Sequence, residues 1–262
     1  MATVSRIEWT QHTWNPTTGC TKISPGCRHC YAQIMAKRLQ AMGMPGYDNG
    51  FGLSLLDNRL EQPLCRRKPT IYFVNSMSDL FHEGIPDRFL DRVFSVIEET
   101  PRHIYQILTK RSNRLRRYFA GRTVPKNTWL GVSVEDRKHG VPRIDDLRKV
   151  NASVRFISAE PLLEDIGEID LGGIHWVITG GESGPKARAM KVEWVENIHR
   201  QCKRSDVAFF FKQWGGWGAD GRRRAKKHNG RAFHGRIWDE MPHYAGGTIV
   251  ASSTKREVTG VA

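Results

Sequence analysis

The run Thr70-Ile71-Tyr72-Phe73-Val74, then Asp87 to Glu99, then His103-Ile104-Tyr105-Gln106-Ile107-Leu108 decides the fold. The two short runs are β-branched, aromatic and apolar on both faces, the composition of strands buried on two sides. Between them Leu90, Val93, Phe94 and Ile97 recur at helical spacing, with Pro86 and Asp87 suited to a helix start. Strand, helix, strand predicts a parallel pair joined by a crossover helix. The unit repeats along the chain: 128–134, 154–158, 175–179 and 207–211 read as further strands, and an earlier one falls within Ile7 to Trp14. Helical patterns occupy 31–42, with Gly43 placed to end it, and 111–120, 141–150 and 192–202. The predicted fold class is α/β: a partial (β/α) barrel of about six to seven parallel strands with outer helices. An open doubly wound sheet is the alternative, but no Gly-x-Gly-x-x-Gly or P-loop follows the first strand.

The barrel is expected over 1–217, with an irregular insertion at 43–69. A basic extension, 218–244, is expected to pack on or near it, and the Gly/Ser/Thr-rich tail 245–262 reads as disordered. The chain has 262 residues and carries 41 Lys and Arg against 27 Asp and Glu, a formal charge of +14. Such a surplus attracts polyanions, so DNA or RNA is an expected partner; a solvated basic face is the plainer reading. No apolar run approaches membrane-spanning length, and Met1 to Arg6 lead into polar sequence with no secretory signal. Five cysteines, three of them clustered, argue against a disulfide framework and for a reducing, cytoplasmic setting.

In parallel α/β folds, ligands meet the carboxyl ends of the strands. Those ends are polar here: Asn75-Ser76-Met77-Ser78-Asp79, Thr109-Lys110-Arg111, Ser133-Val134-Glu135-Asp136, Ser158-Ala159-Glu160-Pro161, Gly180-Gly181-Glu182-Ser183-Gly184 and Lys212-Gln213-Trp214. After the first strand comes Gly19-Cys20-Thr21-Lys22-Ile23-Ser24-Pro25-Gly26-Cys27-Arg28-His29-Cys30-Tyr31, a C-x6-C-x2-C motif. Two inorganic centres fit three clustered thiols. Zinc needs a fourth ligand, for which His12, His29 or His82 is available, though only one C-x2-C knuckle is present. An iron–sulfur cluster takes cysteine thiolates, and three of them leave one iron open.

Trp14-Asn15-Pro16-Thr17-Thr18-Gly19-Cys20 and Cys27-Arg28-His29-Cys30-Tyr31-Ala32 resemble the entry motif of radical S-adenosylmethionine enzymes, nearest the spore photoproduct lyase-like group. With Asn-Ser-Met-Ser-Asp, Gly-Val-Ser-Val-Glu and Gly-Gly-Glu-Ser-Gly, the chain to about Tyr244 is similar to an uncharacterised phage and bacterial family of the Gp37/Gp68 type. The superfamily has three residues in the first cysteine gap where this chain has six, and an aromatic residue where His29 stands.

The resemblance implies that Cys20, Cys27 and Cys30 ligate a 4Fe-4S cluster. Its fourth iron would chelate S-adenosylmethionine, whose reductive cleavage gives a 5′-deoxyadenosyl radical. It further implies acceptors for the methionine amino group at Ser76 and Asp79, and Lys110 beside the cofactor carboxylate. Ser133 and Glu135 would serve the ribose, and Glu160, Gly181 and Glu182 the later strand ends, with glycine letting backbone approach the adenine. Lys212 and Gln213 are left for substrate, and an electron donor such as flavodoxin or ferredoxin is implied. The competing reading is a zinc-stabilised nucleic-acid-binding protein without catalysis. Under either reading Arg222 to Lys227, with Trp214, Trp217 and Trp238, could form a backbone-and-stacking groove; the alternative is a solvated charged face with the tryptophans in the core.

Overall fold

The computed structural model describes residues 3–5 and 7–243. Seven parallel strands run in chain order across one curled sheet: β1 (His12–Trp14), β2 (Ile71–Val74), β3 (Ile104–Thr109), β4 (Thr128–Ser133), β5 (Val154–Ala159), β6 (Trp176–Gly180) and β7 (Ala208–Gln213). A two-residue strand, Thr3–Val4, adds antiparallel to the β1 edge. Neighbours pair in parallel throughout, as in Ile71 with Ile104, Trp129 with Val154 and Phe209 with Val177. This is the partial barrel expected, with the strand count at the upper end.

Alternation along each strand sorts side chains into two layers. Tyr72, Val74, Ile107, Leu130, Val132, Ile157, Val177 and Phe211 face outward into the larger core. The helices α1 (Tyr31–Ala41), α2 (Asp87–Glu99), α3 (Ser112–Tyr118), α4 (Pro142–Arg148) and α5 (Val192–Arg204) follow β1, β2, β3, β4 and β6. α2 buries Phe89, Leu90, Val93, Phe94 and Ile97, and α5 buries Val195, Ile198 and Cys202. No helix follows β5; Leu162, Ile166, Ile169, Leu171 and Ile174 cover that stretch instead. α1 ends as its glycine predicts: Gly43 has φ +63, its N–H donates to Gln40 O, and Met44 N–H reaches back to Leu39 O.

The inner layer is Ile71, Phe73, Ile104, Trp129, Phe156, Trp176, Ile178 and Phe210, with Trp9 plugging it from the N-terminal side. Trp9 meets Phe73 edge-on at 4.7 Å. Gly131, on the inner face of β4, makes room for the Phe156 ring: a Cβ there would lie 2.4 Å from the ring atoms. Gly131→Ala therefore overpacks this layer and is expected to cost about 1–3 kcal/mol in urea unfolding. A loss below about 0.5 kcal/mol would mean that the ring has room to swing aside.

The insertion at 43–69 is mostly turns, with Ser54–Leu55 pairing antiparallel to Thr17–Thr18. The C-terminal extension lies along the β7 edge, where Phe211 N–H donates to Trp238 O and Trp176 Nε1 to Glu240 O. Trp214 is buried among Phe211 and Phe233, and the indole N–H groups of Trp214, Trp217 and Trp238 each donate to a backbone carbonyl. Trp214 thus lies in the core and Trp238 packs against it, while Trp217 is half-buried outside the core cluster. Tyr244 and the tail 245–262 lie outside the described residues. Among the described residues, no helix is long and apolar enough to cross a membrane.

Candidate functional site

Above the apolar inner layer the strand ends turn polar and enclose a cavity of about 490 Å3. Its walls include Trp9, Phe73 and Leu108 below, Ser133, Ser158 and Lys212 on β4, β5 and β7, and Cys20, Cys27 and Cys30 above. Of the thirteen site residues expected from sequence, twelve line this one space: the three cysteines, Ser76, Asp79, Lys110, Ser133, Glu160, Gly181, Glu182, Lys212 and Gln213. Glu135 is fully buried behind the wall.

The cysteine loop is clamped at three strand ends. The first clamp is Arg111, 5% exposed, after β3. Its Nε donates to Glu83 at 2.8 Å, Nη1 to Asp79 at 3.1 Å and to Cys20 Sγ at 3.4 Å, and Nη2 to the carbonyl and hydroxyl of Thr21 at 3.1 and 2.9 Å. Asp79 holds the guanidinium in place and is itself saturated. It accepts from Phe81 N–H, Thr109 Oγ1, Lys110 N–H and Arg111, filling the four positions a carboxylate offers. Asp79 is therefore a positioning residue and has no free acceptor for an amino group.

The second clamp is Glu135, after β4. Arg143 Nη1 donates to it at 2.6 Å, Lys110 Nζ lies 3.5 Å away, and the Ser24 hydroxyl of the cysteine loop donates to its other oxygen. Burial works against its charge, yet Lys110 and Arg143 outweigh burial and hold the carboxyl at about 2. These contacts, rather than ribose hydroxyls, occupy it. The third clamp is Glu182, after β6. It accepts three bonds from Arg188, the shortest 2.5 Å, and lies 3.2 Å from His29 Nδ1, while Arg188 Nη2 reaches Pro25 O at 3.1 Å. Burial opposes its ionisation, but the Arg188 bonds keep the Glu182 carboxyl below its ordinary range.

The glycines serve the same loop. Gly19 has φ +81, and a Cβ there would lie 2.0 Å from Gly52 O, so only glycine lets the chain reach Cys20, whose N–H donates to Phe51 O. Gly181 is crowded by its own chain: a Cβ would sit 2.0 Å from Trp214 O. The close approach expected there for an adenine is thus made by the β7 loop.

What remains open to a ligand is a smaller set. The Ser133 and Ser158 hydroxyls line the cavity. Glu160 meets Lys212 Nζ at 2.8 Å and Gln213 Nε2 at 3.2 Å. Gln213 Nε2 also donates to Gly181 O and Ser183 Oγ, while its buried Oε1 has no partner. The Ser76 hydroxyl donates to Asn15 Oδ1, and its carbonyl accepts from Tyr31.

Arg111, Arg143, Arg188 and Ser24 were not among the residues expected from sequence. Their signal was indirect: three acids at buried strand ends require cations to hold their charge.

All five cysteines are free. Cys65 is exposed, and Cys202 is in the core, where burial pushes its thiol up to about 12. The three loop cysteines are half-buried on the cavity wall. Among the described residues, no three His, Cys, Asp or Glu side chains converge where a single metal ion could sit. The histidines weighed for zinc are engaged elsewhere: His29 on Glu182, and His82 between Thr21 Oγ1 and Gly84 N–H, while His12 lies in β1 against Tyr72. The donor set, three soft sulfurs and no nitrogen, fits iron and sulfide.

The model of a family described as "Protein of unknown function (DUF5131)" matches residues 4–242. The family matched is one of unknown function, as the sequence suggested, but the match does not carry the Gp37/Gp68 identification. No curated protein matches the chain. Among solved structures, spore photoproduct lyase complexed with a dinucleoside spore photoproduct is similar at a TM-score of 0.47 and 13% identity, over 78% of this chain. A cysteine mutant of that lyase is similar at 0.46 and 14% identity, also over 78% of this chain. The chain spans 64% of the length of each.

Proposed function

The chain belongs to the DUF5131 family, whose description assigns no activity, and from that premise we propose that it is a radical S-adenosylmethionine enzyme acting on nucleic acid or a nucleotide. One observation carries the reading: three free cysteines of a single clamped loop line one cavity together with the polar ends of the strands. Cys20, Cys27 and Cys30 would hold a 4Fe-4S cluster, with S-adenosylmethionine at its open corner. When bound, the pair supplies a 5′-deoxyadenosyl radical for hydrogen-atom abstraction, chemistry that belongs to the cofactor.

The chain's own residues position and shield. Arg111, Glu135 and Glu182 fix the loop before any cofactor arrives, so its thiols are preorganised. Trp9, Phe73 and Leu108 keep the lower wall free of water. Lys110, on the cavity wall, offers a cation to a ligand carboxylate. The Ser133 and Ser158 hydroxyls and the unpartnered Gln213 Oε1 are left to orient hydroxyl and amino groups. The Glu160–Lys212 pair stands on the β5 and β7 side as a polar contact for substrate. The charge of +14 supports a polyanionic substrate.

Anaerobic reconstitution with iron and sulfide tests the reading. It is expected to give a brown protein with about four irons per chain, which a strong reductant drives to cleave S-adenosylmethionine into methionine and 5′-deoxyadenosine. Cys27→Ser should remain colourless. A wild-type chain that takes up no iron and purifies with one zinc would overturn the proposal.

A further inference from the structure

The cavity wall at β5 and β7 holds a side-chain cluster that the three clamps leave alone. β7 pairs Phe211 with Thr179 and Gln213 with Gly180, which makes Lys212 an extra residue in the strand. This bulge turns Lys212 and Gln213, neighbours in sequence, to the same cavity wall, where regular alternation sends one of two neighbours outward. Glu160, just after β5, joins them: its Oε2 accepts from Lys212 Nζ at 2.8 Å and its Oε1 from Gln213 Nε2 at 3.2 Å.

The Gln213 amide has one workable orientation. Its nitrogen faces Glu160, Gly181 O at 3.1 Å and Ser183 Oγ at 2.9 Å. The first two can only accept, so turning the amide over would set oxygen against oxygen. Oε1 is left as an acceptor with no partner, on a side chain that is 4% exposed. A buried acceptor left unmet costs stability, and a donor on a ligand would satisfy it.

The charges of Glu160 and Lys212 cancel, so this corner suits an uncharged group, unlike the basic chain as a whole. Acceptors dominate it: Gln213 Oε1 and the carboxylate, against Lys212 Nζ and the Ser183 hydroxyl. An amino group beside an unprotonated ring nitrogen answers this pattern. Its two protons meet Gln213 and Glu160, and Lys212 donates to the ring nitrogen. A cyclic imide does not answer it. Its single N–H is flanked by two carbonyls, so meeting either acceptor brings a carbonyl oxygen toward the Glu160 carboxylate, and repulsion rejects it.

We infer that Glu160, Lys212 and Gln213 form a subsite for the amino-bearing edge of a heterocycle, the edge that cytosine presents, and reject the imide edge of uracil or thymine. The inference rests on the proposed function only in taking the substrate to be nucleic acid or a nucleotide.

Cytidine and uridine are the probes, because they share shape and sugar and differ in this edge. Binding is measured by calorimetry on the full chain, with neither iron nor S-adenosylmethionine added. Cytidine is expected to bind wild type at least about tenfold more tightly than uridine. Glu160→Gln replaces one carboxylate oxygen by an N–H donor and removes the repulsion, so the ratio should fall to about threefold or less, with the circular dichroism spectrum of wild type. Equal affinities in wild type, a preference for uridine, or no binding of either nucleoside overturns the inference. So does a cytidine preference that Glu160→Gln leaves unchanged, since it then arises elsewhere in the chain. Should the variant not fold, the wild-type ratio decides. A chain that takes up no iron and still prefers cytidine keeps this subsite and loses the radical reading. One that cleaves S-adenosylmethionine and binds both nucleosides equally loses the subsite alone.

Discussion

Arg111→Met is expected to lower the unfolding free energy by about 3 kcal/mol and to unmoor the cysteine loop. The guanidinium is buried and makes five contacts, two to carboxylates, two to Thr21 and one to Cys20. Removing one partner of a buried ion pair costs about 3–5 kcal/mol, because the remaining charge is left without compensation. Asp79 keeps three other donors, which places this variant at the low end. Methionine keeps much of the apolar stem, so the loss is electrostatic rather than a cavity effect. Urea unfolding gives the magnitude. Hydrogen exchange gives the location: faster exchange at Thr21 and its neighbours, with β3 still protected, is the expected pattern. Arg111→Lys should rescue little, since a single ammonium cannot span Asp79, Glu83 and Thr21 together. A loss under about 1 kcal/mol, with unchanged exchange in the loop, would show that the clamp does not hold it.

Glu135→Gln is expected to cost a similar amount at neutral pH and to change the acid limb of the stability curve. The carboxyl sits at about 2 in the folded chain against an ordinary 4.5. At about 1.4 kcal/mol per pH unit, the difference corresponds to about 3 kcal/mol of stability. A depressed folded value means that the stabilisation is complete above pH 4.5 and is lost as pH falls through 2. The gap between wild type and Glu135→Gln should be full at pH 7 and less than half as large at pH 3. The variant leaves the buried Arg143 charge with only neutral acceptors, Ser133 O and the amide oxygen of the new side chain, which works in the same direction. A gap of constant size across that range would mean that the glutamate contributes by shape and not by charge.

Much of this architecture is legible in the chain because its signals are local. Ile71 to Val74 and Thr128 to Ser133 are too apolar on both faces to be anything but strands buried on both sides. Asp87 to Glu99 matches its expected helix to the residue. Gly43 ends α1 as its position suggests. The cysteine loop and the strand-end residues fall around one cavity because parallel connection forces all carboxyl ends to one side. What stayed hidden depends on partners far apart in sequence. Asp79, Glu135 and Glu182 read as ligand acceptors when seen alone. Arg111, Arg143 and Arg188 consume their capacity, and no spacing rule links residue 111 to residues 20, 21, 79 and 83. Gly181 was legible as a close-approach site, but not that Trp214 O makes the approach. α1 buries Ala32 and Ala36 rather than its larger apolar residues; both stripes are present in its letters, and a periodicity count does not say which one faces in.

A strap fastened at three points across the rim of a half-barrel also sets a size limit. The chamber beneath it holds about 490 Å3, roughly the scale of one small-molecule ligand. A duplex cannot pass under the strap. Under the proposed function, a polymeric substrate would have to surrender one unit at a time, rotated out of its stack into the opening, and the cost of that distortion would become part of where the protein acts.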